Sequence, residues 1–202
     1  MIPVLAKLYI PVLATVLTAL WPSMPDKPTL AAQVEQETCI SLKSKGCWNP
    51  KTELKTSREY GFGLGQLTIT EKFNNFTAAK GWDKSLAGWQ WADRYNPDMQ
   101  LKALVAYDRN LFNQIKSSAT EEDRLAFMFS AYNGGLGGVL KDRRLCGSTA
   151  GCDSSKWQGN VEKYSFRSRT AVKGYGQSFF DVNRGYVKNI MELRVEKYRD
   201  LL

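Results

Sequence analysis

The chain has 202 residues, of which 43% are hydrophobic and 24% charged, a composition typical of one soluble globular domain with a sizeable core. It contains no histidine, which excludes Ser-His-Asp and Cys-His nucleophile systems as well as HExxH zinc sites. The net charge of +8 favours an anionic partner, but the positive charges are spread out and no nucleic-acid-binding motif accompanies them, so we expect a solvated basic surface and no nucleic-acid site.

The first apolar stretch covers residues 8–21 and is short for a membrane span. It fits a buried helix, the hydrophobic part of an export signal, or an uncleaved anchor. The stretch is poorly suited to be a membrane anchor, because it contains Pro11 and is flanked by a single charge, Lys7. We therefore favour a core helix within residues 1–21. Membrane association through this segment stays open.

A second helix is predicted to carry a candidate acid. The Pro-rich residues 21–28 end the first helix, and Pro28 suits the first turn of the next. Leu30, Val34 and Glu37 follow at i, i+4 and i+7, which places a carboxylate on the apolar face. Burial there favours the neutral form of Glu37, which a general acid requires.

The middle of the chain combines a loop, a short hairpin and a long helix. Residues 40–60 show little periodicity and are predicted as loop, whereas residues 61–70 alternate glycine with apolar residues and indicate a short irregular β-hairpin beside a cleft. Residues 99–115 carry a clear helical apolar stripe, and Asp108 is its polar break.

The last part is also mainly helical. Thr120 with Asp123 resembles a capping box that opens a central helix over 121–132. Residues 145–180 are loop-like, and a final helix is predicted from Val182 onward. The whole pattern predicts a mainly α fold with a small β-hairpin, folded as a single domain over residues 1–202.

Four cysteines form two close pairs, Cys39 with Cys47 and Cys146 with Cys152. Two local disulfides are the simplest pairing, and they indicate an oxidising, extracytoplasmic compartment. The alternatives are the two other pairings and a four-cysteine zinc site, although neither pair has the usual spacing of zinc ligands.

Residues 134–138 contain four glycines directly after an apolar run. A phosphate-binding loop has its glycines before a helix, and here they follow one, so Gly134 is predicted to cap the helix. Together with the glycines of residues 61–65, they are predicted to let the backbone approach a bulky, extended ligand.

Several motifs, in order over about 155 residues, resemble the soluble lytic transglycosylase domain family, and Ser57 and Gln66 keep the family's nine-residue spacing. The matching stretches are EQET (35–38), NP (49–50), Ser57, GLGQLT (63–68), LAFMFSAYNGG (125–135) and GYVKNIM (185–191). The sequence departs from the family pattern at Thr38, Gly65 and Gly135, and residues 39–47 look like an insertion relative to that pattern.

The resemblance implies a lysozyme-like domain that cleaves peptidoglycan glycan strands without metal or cofactor. Glu37 corresponds to the single catalytic acid, which protonates the oxygen between MurNAc and GlcNAc and then takes the proton of the muramyl 6-hydroxyl. Tyr132 corresponds to the tyrosine that orients this acid, while Ser57, Gln66 and Asn133 correspond to sugar-binding positions and Tyr186 to a late family tyrosine. The compact size and the cysteine-closed insertion are similar to phage cell-wall lysins.

Two alternatives remain open. The first is a muramidase on the same fold, in which Glu59 holds a water molecule and the bond is hydrolysed. The second is a non-catalytic glycan-binding component of a virion or a secretion machine. Trp82, Trp89 and Trp91 suit either sugar stacking or the core.

Overall fold

The structure is a computed structural model that describes residues 1–39, 46–173 and 176–202. The chain divides into two compact units, one formed by Met1–Arg109 with Glu192–Leu202 and the other by Asn110–Met191. Part of the predicted insertion, residues 40–45, lies outside the described residues. That residues 1–202 form one domain stays a prediction.

The first helix, α1, spans Val4–Leu20 and is amphipathic. Val4 and Leu8 are exposed, whereas the opposite side of the helix is buried. The buried residues are Ala6, Ile10, Leu13, Val16 and Leu17. This buried face agrees with the favoured core helix, and no helix within the described residues is long and apolar enough to cross a membrane.

Helix α2 spans Pro28–Thr38, with Pro28 in its first turn as predicted. It packs against the 3-10 helix Val195–Tyr198, near the end of the chain. The ring nitrogen of Trp48 donates a hydrogen bond to the Tyr198 hydroxyl at 3.0 Å in this buried region. The first unit thus joins segments about 150 residues apart in sequence.

A three-stranded antiparallel sheet of β1 (Glu53–Lys55), β2 (Tyr60–Phe62) and β3 (Leu67–Ile69) follows. The predicted hairpin is β2–β3, and β1 lies in the stretch that we interpreted as loop. Short helix α3, Asn75–Ala79, packs beside β3. Phe62, Phe76 and Trp89 form the aromatic core under the sheet.

Helix α4, Pro97–Gln114, agrees with the predicted helix over 99–115. The predicted stripe is buried along its length, and its polar member, Asp108, is 0% exposed. The expected polar break is therefore a carboxyl group inside the first unit.

The second unit is built around α5, Glu121–Gly134, whose residues 125–131 are all buried. As the capping-box pattern predicted, the Thr120 hydroxyl accepts a hydrogen bond from the Asp123 amide at 3.0 Å. Helix α5 contacts both α6, Leu136–Gly147, and α7, Phe179–Lys188. A π-helical segment, Asn189–Arg194, follows α7.

Helix α6 was not predicted, because its first turn falls in the glycine run that we interpreted as loop. Gly134 is the last residue of α5, and Gly135, with φ of +80°, turns the chain directly into the next helix. Arg167 occupies the space beside Gly134 and Gly138, where a Cβ would overlap its guanidinium group. These two glycines therefore accommodate a side chain of the protein itself. That the glycine run also lets a ligand approach the backbone stays a prediction.

The region after α6 is irregular, as predicted, and it is held by arginines. Asp142 is buried and pairs with Arg167 at 2.5 Å and Arg184 at 3.0 Å. Arg184 also donates to the backbone carbonyls of Val161 and Tyr164. A small sheet in a mainly helical chain confirms the predicted fold class, and Cys39–Cys47 and Cys146–Cys152 confirm the predicted disulfides.

Candidate active site

Glu37 lies in the last turn of α2 and is half-buried. It is placed there by Leu30 and Val34, both 0% exposed, which fix the helix face that enters the core. The neighbouring Thr38 accepts a hydrogen bond from the Trp48 amide at 2.7 Å and donates to the Val34 carbonyl at 2.6 Å. Thr38 therefore anchors the end of α2 directly beside the candidate acid.

Glu35, two residues before Glu37, is the more deeply buried carboxylate and has a different environment. Arg194 donates to it at 2.5 Å and Lys197 at 2.7 Å, and the Tyr198 hydroxyl also donates to it. Two cationic side chains and a phenol hydroxyl therefore contact the buried Glu35 carboxyl group. Of the two glutamates in the EQET motif, Glu35 is therefore the one that belongs to this buried ion-pair cluster.

Asp108 is the second carboxyl group near Glu37. Burial raises the pKa of Asp108 well above its ordinary value, and the negative charge of Glu37 raises it further. A hydrogen bond from the Gln33 amide, at 3.4 Å, acts in the opposite direction on this pKa. Sequence reasoning noticed Asp108 only as a break in the apolar stripe and assigned it no role.

The small sheet separates the two predicted residues that it carries. Ser57 is exposed in the β1–β2 turn, and Gln66 lies in the β2–β3 turn, so the antiparallel order places them at opposite ends of β2. Glu59 is half-buried in the same turn as Ser57. The structure thus does not bring Ser57 and Gln66 together.

Gln66 occupies a left-handed backbone conformation, with φ of +43°. Its side-chain amide donates to the carbonyls of Gly63 at 2.8 Å and Thr52 at 3.1 Å. Gly63, with φ of +79°, leaves room for the Gln100 side chain, which a Cβ at this position would overlap. The amide oxygen of Gln100 accepts a hydrogen bond from the Leu64 backbone N–H at 2.9 Å. Two glutamines therefore fix the shape of this turn from within.

The second unit brings three predicted residues together. The rings of Tyr132 and Tyr186 stack nearly parallel, with centroids 6.4 Å apart and planes inclined by 7°. Asn133 is exposed, and its amide oxygen accepts a hydrogen bond from Asn183 at 3.1 Å. Buried Asn183 also exchanges hydrogen bonds with Ser130, so it ties α7 to the end of α5. No sequence signal had singled out Asn183.

The tryptophans divide between core and surface. Trp89 is buried, and Trp82 stacks on Tyr107 with centroids 4.4 Å apart. Trp91 is 42% exposed and meets Phe62 and Phe76 edge-on. Trp91 is therefore the tryptophan of the three with the largest accessible ring. Within the described residues, no group of three or more acidic or cysteine side chains could hold a metal ion.

A mainly helical fold with a small antiparallel sheet and a half-buried helix-end glutamate defines the lysozyme-like class that the sequence indicated. No family model matches the chain. Comparison with known proteins nevertheless confirms the resemblance to lytic transglycosylases, through relatives named membrane-bound lytic murein transglycosylase F.

The relative from Vibrio cholerae is 30% identical over 107 residues, which are 49% of this chain and 19% of that protein. The relative from Maricaulis maris is 30% identical over 110 residues, 54% of this chain and 24% of that protein. In the Pasteurella multocida relative, 38% of 65 residues are identical, covering 32% and 13% of the two chains. The match thus covers less than a quarter of each relative.

Proposed function

We propose that this protein is a peptidoglycan lytic transglycosylase that cleaves the MurNAc-β-1,4-GlcNAc bond and leaves 1,6-anhydroMurNAc ends. The observation that carries the proposal is the half-buried carboxyl group of Glu37 at the end of α2, in a chain half of which is similar to lytic murein transglycosylases. The two disulfides support action outside the cytoplasm, where this substrate lies.

Glu37 serves first as the general acid and then as the base. The neutral carboxyl group donates its proton to the glycosidic oxygen, and the N-acetyl group of the substrate stabilises the sugar cation. The resulting carboxylate takes the proton of the muramyl 6-hydroxyl as its oxygen forms a bond to C1. Glu37 is therefore protonated again at the end of the reaction. One carboxyl group is sufficient because the substrate supplies the internal nucleophile.

The other predicted residues have supporting roles in this proposal. For Tyr132 we keep the role that the family resemblance implies, orienting the acid; within its own unit, stacking on Tyr186 limits the rotation of its ring. Asn133 presents its amide at the surface of the second unit for a sugar hydroxyl. Gln66 and Ser57 bind sugar through the turns at the two ends of β2. The basic surface attracts the anionic wall polymer.

Glu37→Gln tests the proposal directly. The glutamine amide is far too weak an acid to protonate the glycosidic oxygen. We therefore expect release of muropeptides from purified sacculi to fall by about 10²–10⁴-fold or more. Circular dichroism and the unfolding midpoint should stay near wild type, since the substitution keeps size and shape. Retained lysis in this variant would refute the assignment of Glu37 as the acid, whereas absence of lysis by the wild-type protein would favour the non-catalytic alternative.

Glu59→Gln is the matched control, because it makes the same change at another half-buried glutamate. We expect this variant to keep its activity and its products. A loss as large as that of Glu37→Gln would favour the hydrolytic alternative, in which Glu59 holds the attacking water.

A further inference from the structure

The outer face of α6 borders a cavity in the second unit that the mechanism above does not use. This α6 cavity has a volume of about 680 Å³, within the range of small-ligand sites. Its lining residues are Lys141, Arg144, Leu145, Ser148 and Phe166. The first four lie within or directly after α6 at intervals of three and four residues, so they share one side of the helix.

Phe166 is held at the wall of the α6 cavity by both of its neighbours. The Ser165 hydroxyl donates to the buried carboxyl group of Asp142 at 2.9 Å, and Arg167 pairs with the same group at 2.5 Å. Asp142 belongs to α6, so these contacts fix the segment against that helix. The Phe166 ring between them is 70% exposed. A fixed aromatic ring is therefore available to a ligand in the cavity.

The two cations that line the α6 cavity have no acidic partner in the part of the chain that the structure describes. Lys141 and Arg144 are both exposed, and neither forms an ion pair there. Arg143, their neighbour on α6, instead donates to the backbone carbonyls of Lys116 and Ser154. The charges of Lys141 and Arg144 are therefore available to an anion.

The lining of the α6 cavity fits a carboxylate that is attached to small apolar groups. The planar guanidinium group of Arg144 matches a carboxylate through paired N–H groups, and Lys141 adds a second positive charge. Leu145 and Phe166 make the remaining wall apolar. A nucleic acid or a polyphosphate instead needs cations that follow its backbone along an extended groove. Two cations beside an apolar wall favour the smaller ligand.

We propose that the α6 cavity binds a peptide stem of peptidoglycan, which is a short peptide with free carboxyl groups and small aliphatic side chains. Arg144 and Lys141 bind its carboxylate, Leu145 and Phe166 pack against its aliphatic groups, and the Ser148 hydroxyl accepts a hydrogen bond from a peptide N–H. The proposal rests on the proposed function for the identity of the substrate. A glycan strand carries many stems, so the α6 cavity needs no fixed distance from the bond that is cleaved.

Binding of a synthetic stem peptide to the full chain tests the proposal by isothermal titration calorimetry. The peptide has no glycosidic bond, so catalysis does not enter the measurement. We expect the double variant Lys141→Gln, Arg144→Gln to raise Kd about five- to tenfold, because it loses two charge-assisted contacts at an exposed site. Phe166→Ala should raise Kd about threefold through the lost apolar contact.

The double variant Lys116→Gln, Lys188→Gln is the matched control. It also removes two positive charges from exposed lysines of the second unit, and neither lysine lines the α6 cavity. It should bind the stem peptide as wild type does. Equal losses in the two double variants would show attraction by net charge alone and overturn the proposal.

Two other ligands probe the chemistry of the α6 cavity. A stem peptide whose carboxyl groups are converted to amides should bind more weakly by about the same factor as the loss in Lys141→Gln, Arg144→Gln. Unchanged binding of this amide would contradict the recognition of a carboxylate. Tighter binding of duplex DNA or inorganic polyphosphate than of the stem peptide, lost in the same double variant, would overturn the proposal in favour of a phosphate polymer.

A second measurement connects the α6 cavity with the reaction. The ratio of kcat/KM on soluble glycan strands with stems to that on strands stripped by an amidase measures the preference for stems. We expect Lys141→Gln, Arg144→Gln to lower this ratio about fivefold, through KM, and Lys116→Gln, Lys188→Gln to leave it unchanged. An unchanged ratio in the first variant overturns the proposed recognition. If the wild-type protein cleaves neither substrate, the proposed function fails, and the calorimetry still decides whether the cavity binds the stem.

Discussion

At the scale of single residues, the two glutamates of α2 show what a local pattern can and cannot predict. The i, i+4, i+7 spacing predicted that Glu37 lies on the apolar side, and the structure places it half-buried. It gave no sign that Glu35 would be more buried. The reason is that its partner Arg194 comes from 159 residues further along the chain. The spacing of residues along one helix predicts which side of that helix is apolar. An ion pair also depends on which other segment of the chain packs against the helix.

Asp108 yields a prediction about stability and pH. Its pKa is raised in the folded state, so the folded protein holds its proton over a pH range in which the unfolded chain has already released it. The stability associated with this proton is fully present below the pKa of Asp108 in the unfolded chain, about 3.9. It is lost as the pH rises toward the pKa of Asp108 in the folded protein, by about 1.4 kcal/mol per pH unit.

Asp108→Asn removes this loss. The free energy of unfolding of the variant, relative to wild type, should therefore rise by about 1 kcal/mol or more between about pH 4.5 and pH 7. Urea unfolding at several pH values measures it, with Asp98→Asn as the comparison, because Asp98 is a half-buried residue of the same helix that pairs with Lys102. A difference that stays constant over this range would show that Asp108 is ionised in the folded protein.

At the scale of secondary-structure elements, the structure separates helices that periodicity reveals from elements that it hides. Helices α4 and α5 carry long apolar patterns, and α5 also has its Thr120 cap, so both were predicted within a few residues. Helix α6 has two glycines in its first turn, which local propensity disfavours. Strand β1 has three exposed residues and no alternation to reveal it.

Those two glycines of α6 form a matched pair. A Cβ at Gly137 would meet nothing within 4 Å, whereas one at Gly138 would overlap Arg167, which Asp142 holds in place. We expect Gly137→Ala to stabilise the protein by about 0.5–1 kcal/mol through helix propensity. Gly138→Ala should lower the stability by about 1–2 kcal/mol because the guanidinium group must move.

Chemical denaturation of both variants measures these changes. Equal stabilisation by the two alanines would show that Arg167 does not depend on the space beside Gly138. Such a result would return the glycine run to the role that the sequence suggested, close approach of a ligand.

At the scale of the whole molecule, composition and cysteine spacing were sufficient for the broad class. The absence of histidine left carboxylates, tyrosine, lysine or cysteine as candidate catalytic groups, and the two close cysteine pairs form the two expected disulfides. The candidate site was harder to predict. Its residues come from motifs spread over about 155 residues, and the local pattern of each motif is weak. Asp108 and Asn183, both buried, gained meaning only from their neighbours in space.

The central claim is that a single glutamate cleaves the glycan strand without consuming water. Digestion of purified sacculi in heavy-oxygen water, followed by mass spectrometry of the muropeptides, tests it most directly. The account predicts 1,6-anhydroMurNAc ends that carry no heavy oxygen, since the 6-hydroxyl is the nucleophile. Reducing MurNAc ends labelled with heavy oxygen would contradict it and identify a hydrolase.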